Sequence, residues 1–278
     1  MKTLLRLFLA ILLPFFLYNC TSNTKSAQKE TEQRKTVEMV TDHGTMVIEL
    51  YNETPLHRDN FLKLAREGVY DSLLFHRVIE NFMIQGGDPD SKYARPGDTL
   101  GNGGLDYRVD AEFDSNIFHK KGVLAAARDG NPERASSSTQ FYIVQGKVLN
   151  DSLLDRAEKR INSWLGTHYF KKDPANKALV DSLQKAVDDK NMERFRRYND
   201  SINQLSDTYE NFEPYTIPES HRQVYRTLGG TPHLDQNYTV FGEVVQGMAV
   251  IDSIARIKTD ALDRPLSDVR IRTVRELD

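Results

Sequence analysis

The chain is poor in cysteine. A single thiol, Cys20, stands in 278 residues, so no disulfide can form within the molecule and its stability has to come from packing. It is also poor in net charge. There are 37 basic and 40 acidic side chains, giving −3 at neutral pH. Removal of a leader carrying Lys2 and Arg6 would deepen that slight acidity, which argues against a nucleic-acid partner. The histidines (His43, His57, His76, His119, His168, His221 and His233) show no H-x-E-H or paired Cys/His spacing, so neither a metal nor a cofactor is expected. His76, between Phe75 and Arg77, is expected to be a hydrogen-bonded structural residue. The glycine-rich stretch GGDPDSKYARPGDTLGNGG (86–104) lacks the strand–GxxxxGK[ST]–helix context of a phosphate cradle. The serines at 136–138 have no base paired with them.

What is present begins with a leader. MKTLLRLFLAILLPFFLYNC has a positive start (Lys2, Arg6) and an apolar run, Leu7 to Leu17, too short to span a bilayer comfortably. Residues 1–20 are therefore predicted to be an export signal. Cys20 follows directly in LYNC, which resembles the lipobox of bacterial lipoproteins, where the cysteine becomes the lipidated N-terminus. Leu17 fits that pattern, while Tyr18 and Asn19 are bulkier than its usual small residues. An ordinary cleaved signal with an incidental thiol is the alternative. Thr21 lacks the aspartate that retains some lipoproteins at the inner membrane, so the expected address is the outer membrane, facing the periplasm. Residues 21–35, TSNTKSAQKETEQRK, are polar throughout and predict a disordered tether.

Strand patterns open the folded part: TVEMV (36–40), a His43-Gly44 turn, and TMVIELY (45–51) with period-two alternation. Thr54-Pro55 starts a helix with an apolar stripe of Phe61, Leu64 and Ala65, and Gly68 ends it. Residues 86–110 predict a long surface loop. Further strands are predicted in 123–127, 140–144, 239–245 and 268–274, with a short helix at 247–255. Many strands and two short helices predict a mainly β fold, a closed or nearly closed antiparallel barrel plugged at its ends. Residues 147–229 break this pattern. Four helix-period stripes follow one another there, including Leu153, Leu154, Ala157, Ile161, Trp164 and Leu165, and predict a helical subdomain inserted into the barrel. Trp164 is expected to serve helix packing.

The stretch FHRVIENFMIQGGD (75–88) places Arg77 and Gln85 among apolar neighbours. A three-residue turn, Glu80 to Phe82, sets Arg77 opposite Gln85 and Ile79 opposite Met83. A two-residue turn sets Arg77 opposite Ile84, on the other face. The sequence leaves both open. Together with GVLAAARDGNPERASSSTQFYIV (122–144) and TPHLDQNYTVFGEVVQGMAVID (231–252), this stretch resembles the cyclophilins, peptidyl-prolyl cis-trans isomerases built on a closed eight-stranded antiparallel barrel capped by two helices. The resemblance spans roughly 36–146 and 230–276, which sets the expected organisation: barrel in 36–146 and 230–278, insertion in 147–229.

The resemblance implies roles. Arg77 would be the catalytic donor, held in place by Gln85, and Gln140 would bind the substrate backbone. Phe82, Met83, Tyr142 and Leu234 would receive the proline ring. Ala127 and Arg128 would meet the residue before proline, mainly through backbone, and Phe241 would sit at the rim or floor. Tyr238 stands where the best-known eukaryotic members have histidine, Arg128 where they have asparagine, and Tyr142 where they have phenylalanine. His233 replaces the tryptophan linked to cyclosporin binding. The implied activity is X-Pro isomerisation assisting exported proteins. The alternative is a binding or chaperone module for proline segments, catalytically dispensable, whose insertion recruits a protein partner.

Overall fold

A computed structural model of the chain describes residues 33–277. The leader, Cys20 and most of the expected tether lie outside the described residues. In chain order the elements are β1 (Thr36–Thr41), β2 (Gly44–Leu50), α1 (Pro55–Arg66), β3 (Arg77–Ile79), β4 (Met83–Gly86), β5 (Arg108–Val109), β6 (Val123–Ala126), β7 (Ser136–Ser137) and β8 (Phe141–Val144). There follow α2 (Asp151–Lys172), α3 (Lys177–Asp188), α4 (Met192–Ser206), α5 (Glu219–Thr227), β9 (Val240–Gln246), α6 (Met248–Ala255) and β10 (Ile271–Leu277). No helix among the described residues is long and apolar enough to cross a membrane.

Eight strands form one antiparallel sheet in the order β10-β1-β2-β9-β6-β8-β4-β3. The sheet is open, which corrects the expected closed barrel. Strand β3 has three residues and begins past the point where the chain meets the start of β10, so no ladder joins the two edges. Only an isolated bridge, Leu74 to Arg270, and backbone bonds such as Phe75 N–H to Val269 C=O (2.9 Å) cross the gap. Alternation in β1 and β2 turns Val37, Met39, Met46, Ile48 and Leu50 inward. Helix α1 covers them with Phe61, Leu62, Leu64 and Ala65, and α6 adds Ile251 and Ile254. Phe61 stacks on Tyr70 (4.7 Å between centroids) and meets Phe141 edge-on. Such pairs contribute about 0.5–1.5 kcal/mol each beyond the area they bury.

The tether ends sooner than expected. Lys35 C=O already accepts from Leu50 N–H, and Arg34 bonds Glu49 and Glu53 while lying over the Tyr51 ring. Residues 86–110 are also better anchored than a plain surface loop. Asp88 and Ser91 are fully buried, and the Asp88 carboxylate accepts from the backbone of Asp90 and Gly101.

All four helices foreseen after Val144 are present, between β8 and β9. Asn150, Asp173 and Asn191 cap three helical starts with side-chain oxygens, each cap being worth about 1 kcal/mol. Leu154, Ala157, Ile161, Leu165, Ile217 and Tyr225 make a separate core that Phe118, from the β5–β6 connection, helps to close. The helical segment leaves and rejoins the sheet at one crossing. Gly146 (φ 62) and Gly230 (φ 157) pass so close that a Cβ on Gly146 would lie 2.5 Å from the Gly230 Cα. Only glycine fits that approach.

Candidate active site

The hairpin settles the register that the sequence left open. Arg77 pairs with Gln85, Val78 with Ile84 and Ile79 with Met83, as the three-residue turn requires. Asn81 in that turn takes the left-handed conformation (φ 63), which asparagine tolerates better than most residues. Gln145 holds the turn: its side-chain oxygen accepts from Asn81 N–H at 2.6 Å, and its backbone N–H donates to Phe82 C=O. Nothing in the sequence pattern marked Gln145 for this task.

Strand alternation then sorts the side chains into two layers. Met83, Tyr142, Val144, Ala125, Ala127, Leu234 and Val240 form a cluster away from the main core, with Phe82, Tyr238 and Trp164 packed against it. Above it lies a cavity of about 120 Å³, lined by Arg77, Phe82, Met83, Gln85, Ala127, Arg128, Tyr142, Leu234 and Tyr238. Nine residues singled out from sequence thus converge on one small pocket, in which Phe82, Met83, Ala127 and Leu234 supply apolar surface and Arg77, Gln85 and Arg128 supply polar groups. His233 stacks on Phe82 (5.6 Å between centroids). Burial first, and then the positive Arg160, hold its pKa near 4, so the ring that backs Phe82 is uncharged at neutral pH.

Other assignments change. Phe241 faces the opposite way, into the main core against Phe61 and His57, because its neighbour Val240 takes the pocket-side position on β9. Gln85 does not hold the guanidinium. Its Nε2 donates to Gln140 Oε1 (3.1 Å), while Arg77 Nε lies 3.3 Å from Asp263 Oδ2. Asp263 sits in a left-handed turn whose backbone carbonyl also accepts from Val78 N–H. Gln140 is a clamp. Its amide donates to the carbonyls of Gly101 and Gly103 (3.0 and 2.7 Å), so its side chain fastens the 101–104 loop beside the pocket. Ala127 spends its backbone N–H on Gln140 and its carbonyl on Ser137. The Arg128 guanidinium bonds Asn237 twice and lies 4.6 Å from the Tyr238 ring centre. His76 also differs from expectation: it is buried, with both ring nitrogens unpartnered among the described residues.

The Tyr142 hydroxyl leads away from the pocket. It lies 2.9 Å from His119 Nε2; His119 Nδ1 lies 2.8 Å from Asp235 Oδ1; and the Tyr225 hydroxyl donates to Asp235 Oδ2 at 2.7 Å. A carboxylate only accepts, so Nδ1–H donates to Asp235, and Nε2 of the neutral ring accepts from Tyr142. All four residues are buried, and burial drives both tyrosine hydroxyls well above their ordinary pKa. The pocket floor is thereby tied to α5 of the helical segment.

Comparison with known proteins agrees with this geometry. The family model described as cyclophilin type peptidyl-prolyl cis-trans isomerase matches residues 36–205 and 216–276. Proteins of Staphylococcus haemolyticus and Staphylococcus aureus, provisionally named peptidyl-prolyl cis-trans isomerases, are 29% identical over 255 residues, which is 91% of this chain and 97% and 98% of theirs. The crystal structure of a Cryptosporidium parvum cyclophilin type peptidyl-prolyl cis-trans isomerase superposes with a TM-score of 0.53 at 17% identity, over 88% of this chain and 98% of that one. The same protein in the presence of the dipeptide Ala-Pro gives a TM-score of 0.52. The family model covers the sheet and all but residues 206–215 of the helical segment, and with the fold this means that the chain belongs to the cyclophilin-type peptidyl-prolyl cis-trans isomerases.

Proposed function

We propose that Arg77 is the catalytic group of this isomerase and that the cavity above Met83 and Tyr142 receives the proline ring. The observation that carries this reading is the hairpin register, which places Arg77 across from Gln85 at the edge of a pocket of about 120 Å³. Proline is a small rigid apolar ligand and suits such a cavity. Rotation about an X-Pro bond crosses a barrier of about 18–20 kcal/mol without breaking a bond to carbon or releasing a proton. No nucleophile or tuned acid is needed. Twisting the amide localises the nitrogen lone pair and breaks its conjugation with the carbonyl. A fixed donor near the prolyl nitrogen or its carbonyl stabilises that twisted state more than either planar one. Arginine stays charged beside an apolar wall, and Asp263 limits where its fork can point. Gln85 acts one step removed, through Gln140 and the 101–104 loop.

The leader and Cys20 support a second part of the proposal. The enzyme would work as an exported, lipid-anchored protein, most simply at the outer membrane facing the periplasm, on proline-containing segments of exported proteins that are still folding.

The test is a prolyl isomerisation assay of the full chain beside Arg77→Ala. A charge-assisted hydrogen bond gained only in the transition state is worth about 1.5–3 kcal/mol, so kcat/KM should fall by roughly 10- to 100-fold. Equal rates in the two proteins would remove Arg77 from the mechanism. Background-level rates in both would favour instead a module that binds proline segments without needing catalysis and recruits a partner through its helices.

A further inference from the structure

The site does not end at the proline pocket. A larger groove of about 580 Å³ runs between the 128–134 loop and the insertion helices α2 and α4. It shares Arg128 and Tyr238 with the proline pocket. Trp164 both lines this groove and packs against the pocket cluster, so the two spaces adjoin across a single aromatic wall.

The groove presents cations with little to balance them. Lys171 lines it from α2 and makes no ion pair among the described residues. Arg134 lines it from the loop, with Nη1 on Gln236 C=O and with its Nε–H buried and without an acceptor among the described residues. Of the two carboxylates on the lining, Asp129 is held by Arg108 at 2.5 Å, which leaves the exposed Asp207 at the C-terminal end of α4 against three cations, Arg128, Arg134 and Lys171. His168, between these walls, is pushed down to about 4, first by burial and then by Arg134, Lys172, Arg128 and Lys171. The local field is positive.

We propose that this groove binds the substrate chain flanking the proline and selects an acidic side chain there. The proposal rests on the cavity beside Arg77 being the proline site. Spacing gives the register. Trp164 and Lys171 lie two helical turns apart on α2, about 10 Å, which an extended peptide covers in about three residues. The acidic residue should therefore stand about three positions from the proline, on one side only, since the opposite flank leaves past the 101–104 loop.

The test uses the full chain and heptapeptides with a central X-Pro bond, carrying Glu or Gln three positions before or three positions after the proline. Glu should raise kcat/KM over Gln by about threefold to tenfold on one side, with the gain shrinking as salt rises. Lys171→Glu should abolish that preference. Trp164, the only tryptophan, gives a second readout, because its emission should shift on titration with the preferred peptide. No preference on either side, an equal preference on both, or a preference surviving in Lys171→Glu would overturn the assignment. If no peptide is turned over above background, the proline-site reading fails separately. The Trp164 titration then decides the groove alone: a Glu-specific shift upholds it and its absence ends it.

Discussion

Tyr142 belongs at once to the proline pocket and to a buried chain that ends on α5, and that chain can be weighed. Tyr142→Phe removes one O–H and leaves His119 Nε2 without a donor, where Tyr142 and His119 are 4% and 1% exposed. An acceptor orphaned in that way costs about 1–3 kcal/mol. Tyr225→Phe removes the sole donor to Asp235 Oδ2 among the described residues, and the charge on that oxygen puts the cost near the upper end, about 2–3 kcal/mol. For a chain of this size each kcal/mol moves the melting midpoint by roughly 2–4 °C, so each variant should melt several degrees early.

The decisive quantity is the coupling between the two. Both hydroxyls serve the same His119–Asp235 pair, so once one is lost the pair can relax and the second loss costs less. Urea unfolding of wild type, both single variants and the double variant should give a coupling of about 0.5–3 kcal/mol, with slopes alike in all four. Costs that add to within about 0.5 kcal/mol would refute the chain as an energetic unit. Turnover supplies a parallel check. Tyr225 is not among the residues lining the pocket, yet Tyr225→Phe should lower kcat/KM in the wild-type background and have little effect once residue 142 is phenylalanine. An equal loss in both backgrounds would mean that α5 acts by another route.

Burial of His76 should make the fold sensitive to acid. Its pKa falls from an ordinary 6.5 to about 4, chiefly by desolvation. The stability held by the neutral ring is therefore complete above pH 6.5 and is lost as pH falls toward 4, at up to about 1.4 kcal/mol per pH unit. His76→Leu should flatten part of that decline in urea midpoint, with His168 and His233, also near 4, keeping the remainder; parallel curves for the two proteins would exclude His76. The proposed lipid anchor is tested by fractionation of cells expressing Cys20→Ser, which should shift the chain from the membrane pellet to the soluble fraction. A variant that stays in the pellet would discard Cys20 as the attachment point.

Most of the pocket could be foreseen because its members sit on short-range structure. Arg77, Phe82, Met83 and Gln85 share one hairpin, where a turn length fixes the faces, and the structure chose between the two turns that the sequence allowed. Tyr142 was named by the resemblance alone, and the register of β8 against β4 sets it opposite Gln85. Phe241 was assigned to the site by the resemblance, and period two could not correct that, since it gives which residues share a face and not which face meets which layer. Val240 and Phe241 are both apolar and both buried, and only the packing of α1 over the sheet tells them apart. The closed barrel failed at the edges, where strand lengths of a few residues decide whether a ladder forms.

The residues that escaped notice act at long range. His119 and Asp235 are 116 residues apart, and neither stands in a pattern that announces a partner. Asp263 reaches Arg77 from an irregular turn before β10, and Gln145 looks like any residue at the end of a strand. Each satisfies a group already identified: the guanidinium, the hairpin turn or the tyrosine hydroxyl. A hydroxyl in an apolar pocket was bound to need a partner, because leaving it unbonded costs free energy comparable to a lost hydrogen bond. That need was legible; the atom that meets it was not. Its position has a consequence for the insertion. His119 lies beside the Gly146–Gly230 crossing, its carbonyl accepting from Thr231 N–H, so the chain that holds the pocket floor passes the point where the helices join the sheet. A change in how α5 docks therefore bears on Asp235 and His119 before it can reach the substrate, which makes the helical segment part of the pocket's support as well as one wall of the groove beside it.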